Sequence, residues 1–515
     1  MHRPVVMGRR GMVSSAHYLA SQAGLNVLRD GGNAMEAAIS VNAVLNVVQP
    51  YACGMGGDVF YLIYLAGEEK VLFLNGSGRS PFSSTIEYFL NKGINKIPMR
   101  GVLSVTVPGC IHAWQEIHER FATKSLAYLL SPAVDYAQGF PASHHLVEII
   151  SKYRDVLQKE EQLQKIFLPE GKIPRPGDII SQDDLARTFM TLCERGLMDF
   201  YQGTIADKIE KYMEKRGGLI TARDLAAHAS TWDEPINTSY RGHTIYQTPP
   251  NTQGLAALLG FNLIEGWDLS KLGFQTAEYV HYLVEAKKIA YYDRDQYITD
   301  PDFVAPPLEQ LLSKQYAAHQ RSLIQRERVQ EQYYEFDSLG DTTFFAVADE
   351  AGNMVSCIQS IYIPFGSGLM VEDTGIILHS RGAFFSLDPG HINRLEPHKR
   401  TFHTLTASLV TMDGKPYLAF GSMGGDSQPQ THLQVISAII DHGLNIQEAI
   451  EAPRWVHGPV HPGETNTFLN MESRFPAEVV TTLESWGHSV RLIDEWAYEA
   501  GHAQGIMVDP VTGVY

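Results

Sequence analysis

The chain predicts an α/β sandwich, stacked sheets covered by helices. Three observations carry that prediction: two hairpin patterns far apart in the sequence, helical periodicities around them, and 44% apolar against 19% charged residues in 515. That balance belongs to a turn-rich globular chain and excludes a disordered one. The length allows one large layered domain or two to three smaller ones.

In chain order, "SSAHYLASQAGLNVLRDGGNAMEAAISVNAVLNVVQP" carries serine at an N-cap, apolar residues at helical spacing, a break at Gly31-Gly32 and a second helix that Pro50 ends. "GGDVFYLIYLAGEEKVLFLNGSGRSP" reads as two strands joined by a turn at Gly67 to Glu69, the first hairpin. From about 110 to 290 helical patterns dominate, among them "GCIHAWQEIHERF" and "TAEYVHYLVEAKKIAYYDRDQ". Segment 301–340 is charged and Gln-rich, and reads as an exposed connector ending at Asp341. "TTFFAVADEAGNMVSCIQSIYIPFGSG" is the second hairpin. A loop from Asp349 to Asn353 sets Ala348 opposite Met354 and Thr342 opposite Ser360. "KPYLAFGSMGGDSQPQTHLQVISAII" reads as a strand, a Gly-rich turn and a helix, a place where backbone N–H groups collect.

Acidic residues outnumber basic ones by 58 to 41, a net charge of -17, which argues against nucleic acid as a partner. The start, "MHRPVVMGRRGMVSSAHYLASQ", has no apolar core before Ser14, Ser15 and His17. No run reaches the roughly 18 apolar residues of a membrane span. The expectation is a soluble, cytoplasmic protein without a membrane partner. Cys53, Cys110, Cys193 and Cys357 form no CxxC pair and read as buried free thiols. The histidines, His144-His145 included, lack HExxH or CxxC ligand spacing, and neither GxSxG nor GxxxxGK[ST] occurs. No metal, cofactor or phosphate cradle is expected.

Chemistry concentrates at "GDTTFF". A threonine hydroxyl needs a base, and an N-terminal threonine carries one as its own α-amine, which titrates near ~8. That reading requires a break between Asp341 and Thr342 and an oxyanion site, for which Gly424 and Gly425 of "FGSMGGD" offer amides without a Cβ in the way. Local sequence alone favours an ordinary strand residue at Thr342 and a tight turn at Gly424-Gly425.

Seven segments in one order change that balance. "AGLNVLRDGGNAMEAA", "GGDVF", "GGLITARDLAAH", "YRGHTIYQTPPNTQG", "GDTTFF", "FGSGLMVEDTGIIL" and "GSMGGD" resemble the γ-glutamyltransferase family of self-processing N-terminal nucleophile hydrolases, with Glu36 where that family has Asp. The resemblance implies a four-layer αββα sandwich. It implies a cut at Asp341/Thr342 that yields a large subunit, 1–341, and a small one, 342–515, intertwined in one domain. Thr342 is then the nucleophile, Ser360 a hydroxyl that hydrogen-bonds it, and Gly424 and Gly425 the oxyanion glycines. Pairing of two such heterodimers stays open.

The residues that would grip a γ-glutamyl group depart from the family. Ser77 stands where transpeptidases carry Arg, with Arg79 two residues further on. Tyr362 replaces an Asn, Arg381 and Phe384 replace a Gln and an Asp, His403-Thr404 replaces a Ser pair, and Phe344 replaces a His. Without that Asp and Asn an α-ammonium has no partner, and an unpaired buried charge costs several kcal/mol. Two arginines instead suit an anionic acyl group. Arg79, Arg381, Tyr362, His403 and Thr404 are therefore the expected substrate contacts, with Phe384 and Phe385 as further walls. "NGSGRSP", "SRGAFFSLD" and "GSMGGDSQPQT" are similar to the acylase-like branch, which includes cephalosporin (glutaryl) acylases and oxamate amidohydrolases. The implied substrate is a small amide with an anionic acyl side. A true γ-glutamyltransferase or glutathione hydrolase, and a non-processing relative that only binds a ligand, are the rivals.

Overall fold

The computed structural model describes residues 3–330, 340–460, 464 and 467–515. Its centre is built by strand alternation. Gly11–Ser15 (β1), Asp58–Leu65 (β2), Lys70–Gly76 (β3), Thr231–Asp233 (β4), Asp341–Asp349 (β7) and Met354–Tyr362 (β8) form one antiparallel sheet in the order β1-β7-β8-β2-β3-β4. Ile236–Tyr240 (β5), His243–Gln247 (β6), Ser408–Met412 (β9), Lys415–Ser422 (β10) and Ala503–Met507 (β11) form a second, in the order β11-β10-β9-β6-β5. Both sheets mix strands from before and after residue 341.

Successive side chains of a strand point to opposite faces. Phe60, Leu62, Tyr64, Phe344, Ala346 and Ala348 pack onto Leu409, Ala419 and Ile506 of the second sheet. The alternate residues Tyr61, Ile63, Phe345 and Val347 pack instead under the helices Tyr18–Arg29 (α1), Ala34–Val48 (α2), Cys110–Phe121 (α3) and Leu126–Gln138 (α4). On the far side, Gly254–Ile264 (α5), Ala277–Tyr297 (α6) and Gln428–His442 (α7) cover Tyr240, Val410 and Phe420. The order is helix, sheet, sheet, helix. Because both faces of the central strands are covered, β2, β7 and β8 are buried along their whole length, each large apolar side chain contributing roughly 1.5–3 kcal/mol.

The two hairpins form as the turn chemistry predicts, and the second keeps the expected register from Met354↔Ala348 to Gln359↔Thr343. Beyond that the ladder breaks. The next pair is Tyr362↔Asp341, so Thr342 faces a bulge holding Ser360 and Ile361. A bulge re-aims side chains at a strand end, and Tyr362 there has φ 83°, strained for a non-glycine residue. Two smaller expectations also change. The N-cap of α1 is His17, whose Nδ1 accepts from Leu19 N, and not a serine. The connector from 301 carries two short helices, Leu308–Leu311 and Lys314–Arg321; its residues 331–339 lie outside those described. Cys53, Cys110 and Cys357 are buried free thiols as expected, while Cys193 is half-buried.

Candidate active site

Alternation along β7 places Thr342 on the face of Phe344, between the sheets, and Thr343 on the helix side. There the Thr343 hydroxyl donates to Gln49 Oε1 at 2.8 Å, just past the end of α2. The sheets meet tightly at this end: a Cβ on Gly421 of β10 would lie 2.3 Å from the Phe344 ring. That contact occupies Phe344, the position where the transpeptidases carry His. Thr342 is buried, and its hydroxyl has no hydrogen-bond partner among the described residues.

Ser360 does not bond Thr342. From inside the bulge its hydroxyl donates to the Asp341 carbonyl oxygen at 2.6 Å, while the Tyr362 amide donates to Ser360 Oγ at 2.7 Å. Two donors in series polarise the carbonyl that precedes Thr342. The Asp341 carboxyl is fully buried; its Oδ1 accepts from the Thr342 amide at 2.9 Å and its Oδ2 makes no well-formed hydrogen bond, although the Tyr498 hydroxyl lies beside it. Burial pushes this carboxyl up to about 7, with Tyr498 and the Thr342 amide only partly offsetting the loss of water.

After β10 the chain turns through Gly424 (φ 130°) and Gly425 (φ 55°), both in the region that favours glycine. A Cβ on Gly424 would meet Ser427 Oγ at 2.2 Å. The N–H groups of Gly424 and Gly425 donate to no described acceptor. Gly340 lies against this turn, where an added Cβ would come within 3.2 Å of Gly425 Cα. The junction and the unpaired amides are therefore neighbours. A cleft of about 580 Å³, lined by Gly340, Asp341, Met423 and Gly424 together with Arg100 and Lys152, opens beside them.

The expected substrate contacts divide. Arg381 is buried, donates to Thr404 Oγ1 at 3.1 Å and lies over the rings of Tyr362 (4.8 Å) and Phe384 (5.3 Å). Its Nε and Nη2 have no hydrogen-bond partner among the described residues, and burial pulls the guanidinium down to about 10, still charged at neutral pH. Two paths tie it to the junction: through Tyr362, paired with Asp341, and through Thr404, whose carbonyl shares Gln253 Nε2 with that of Gly425. Arg79 and His403 are spent elsewhere. Arg79 is bound to Asp300 (2.8 Å) and Asp302 (2.6 Å); neither it nor Arg381 lines the open cleft. His403 donates from Nε2 to Asp58 at 3.0 Å and accepts from the Leu405 amide, burial holding its ring neutral, down at about 3. Phe385 packs into a separate cluster with Phe89 and Ile97.

The γ-glutamyltranspeptidase family model matches residues 20–515. The chain belongs to that family of amide hydrolases and acyltransferases. It is 41% identical over 506 residues to the glutathione hydrolase-like YwrD proenzyme of Bacillus subtilis, covering 98% of this chain and 95% of that one. It is 34% identical over 507 residues to the oxamate amidohydrolase proenzyme of Klebsiella pneumoniae, covering 97% and 95%. The crystal structure of cephalosporin acylase from Bacillus halodurans superposes with a TM-score of 0.91 at 38% identity, covering 100% of this chain and 94% of that one. The αββα fold and the acylase-like likeness thus hold for the whole chain.

Sequence reasoning missed several residues that the family fold brings to the junction. Gln49, His145, Tyr498 and His502 line a small cavity with Thr342, and Gln253 and Arg294 stand behind the glycine turn. Gln253 lay in the "PPNTQG" segment already singled out; Tyr498 and His502 carry no local signal. Among the described residues, His281, Glu285 and His488 place ligand atoms within 4.8 Å of one another. Glu285 is paired with Lys288 at 2.6 Å and the two imidazoles with each other at 2.8 Å, so a cation would have to displace an ammonium.

Proposed function

We propose that the protein is a self-processing amide hydrolase with Thr342 as N-terminal nucleophile and an anionic acyl group as its preferred substrate half. In maturation, Thr342 Oγ attacks the Asp341 carbonyl carbon, whose oxygen Ser360 holds. The Asp341–Thr342 C–N bond breaks, leaving an ester on Oγ and a free amine on Thr342. Water opens the ester and releases residues 1–341 as a chain ending in the Asp341 carboxylate. In turnover the freed amine takes the Oγ proton as Thr342 attacks the substrate amide, and the Gly424 and Gly425 amides bind the oxyanion. The amine then protonates the leaving amine, and water hydrolyses the acyl ester. An amine acceptor in place of water gives transfer. Both relatives named above are called proenzymes, which supports the maturation step.

The observation that carries the substrate half is Arg381: a buried guanidinium with two donors unpaired among the described residues, set over the ring of the Tyr362 that pairs with Asp341, is best satisfied by a carboxylate in bidentate contact. Asp58, the carboxylate that bears on Arg381, already serves His379 and His403. The test is a denaturing gel and a pair of anilides. Wild type runs as two fragments meeting at 341/342, Thr342→Ala as one inactive chain, and glutaryl-p-nitroanilide is cleaved faster than γ-glutamyl-p-nitroanilide. An uncut, active wild type would sink the mechanism; the reverse anilide preference would favour a glutathione-type substrate.

A further inference from the structure

We propose that Gln253 is a positioning residue that holds the oxyanion turn in register with the acyl-binding arginine. This rests on the amide-hydrolase reading above. Gln253 is fully buried at the head of α5, and its amide is used to capacity. Nε2 donates to the Thr404 carbonyl at 2.5 Å and to the Gly425 carbonyl at 2.8 Å, and Oε1 accepts from Arg294 Nη1 at 3.0 Å. Its backbone N–H donates to the His403 carbonyl at 3.0 Å.

The two carbonyls belong to different functions. One follows the hydroxyl that orients Arg381; the other follows the free amides of Gly424 and Gly425. Residues 404 and 425 meet 253 only through the fold, so one side chain bridges the acyl grip and the oxyanion turn directly, beside the link from the Thr406 amide to Gln428 Oε1. Arg294 extends the brace: the same Nη1 reaches Asp426 Oδ1 at 2.6 Å, and the Tyr291 hydroxyl donates to the Asp426 carbonyl. The residue type follows from the task. Two convergent N–H donors and one acceptor on a flat group require a primary amide; glutamate offers no donor. A 1 Å displacement of such donors costs about 10²-fold in rate, as does loss of one oxyanion contact.

The test compares Gln253→Glu, which keeps the Arg294 partner and loses both donors, with Gln253→Met, which is uncharged and of similar volume. Gels read self-cleavage, and steady-state kinetics on glutaryl-p-nitroanilide are taken per cut chain. The expected result is normal cutting, kcat lowered about 10²-fold in both variants, and a smaller rise in KM, with Tm within a few degrees for the glutamate. Unimpaired kcat in either variant overturns the proposal. So does a variant left uncut, since Gln253 is assigned to turnover and not to the Ser360 side. A wild type inactive on amides sinks the amide-hydrolase reading itself, whereas an active wild type with an active Gln253→Glu sinks this inference alone.

Discussion

Two arginines that the sequence presents alike end in opposite circumstances. Arg79 reaches two carboxylates, one of them fully buried, so its charge is compensated within the protein. Arg381 is buried among aromatic rings with one hydroxyl for a partner and two nitrogens unused. A guanidinium bonded to carboxylates holds a structure together; one that feels Asp58 without bonding it and leaves two donors unpaired among the described residues is a cost the fold carries, which a bound anion repays. Burial alone does not separate the two roles. The partner list does.

The largest effect expected from this contrast is on activity. Arg381→Leu should lower kcat/KM for glutaryl-p-nitroanilide by about 10²–10³-fold, the loss of a buried charged pair, while Tm stays level or rises because an orphan charge has gone. Retained activity with a fallen Tm would reverse the assignment.

A third buried charge sharpens the contrast through pH. The Asp341 carboxyl, pushed up to about 7 by burial, lies above the ~3.9 of an unfolded aspartate, so folding takes up a proton between those values. In uncut Thr342→Ala protein, the stability from this group is fully present below pH ~4, falls as pH rises to 7 and changes little above. The full loss is of order 4 kcal/mol, and about 3 kcal/mol of it falls between pH 5 and pH 8, where urea unfolding measures it. Asp341→Asn on that background should flatten the difference; an unchanged profile would place the titration elsewhere.

The smallest effect belongs to Arg79. Arg79→Leu leaves Asp300 with the Arg400 and Asp302 amides but no cation bonded to it and should cost about 2 kcal/mol of stability, discounted because Asp302 is exposed, with kcat/KM changed less than about 3-fold. A large KM effect would return Arg79 to the acyl site.

Local chemistry was legible and distant partnership was not. The hairpins, the glycine turn and the helices after 110 announce themselves through period and turn residues, and the register of β7 on β8 follows from loop length as far as Thr343. The bulge beyond it was hidden because its strain falls on Tyr362, a residue with no sequence mark of a left-handed backbone. Ser360 was found through its nearness to Thr342, yet its bond goes to the preceding carbonyl, a shift that one extra residue makes. Arg79 and Arg381 could not be told apart because the carboxylate that claims Arg79 lies 221 residues away. Tyr498 and Gln253 reach the site through tertiary packing alone.

The strand that begins at the junction lies inside its sheet, hydrogen-bonded to β1 on one edge and β8 on the other. A cut before Thr342 therefore severs the chain without removing a piece from the core: the two products remain one folded body, held by the ladders and the buried faces. The history of that body then matters. Uncut protein can find its fold as a single chain, at a rate independent of concentration, but once cut and denatured it must rebuild a shared core from two molecules, a second-order search in competition with aggregation. A cut at 341/342, as proposed above, would thus leave a fold whose survival depends on never fully opening, and the working lifetime of the enzyme would be set by its unfolding rate.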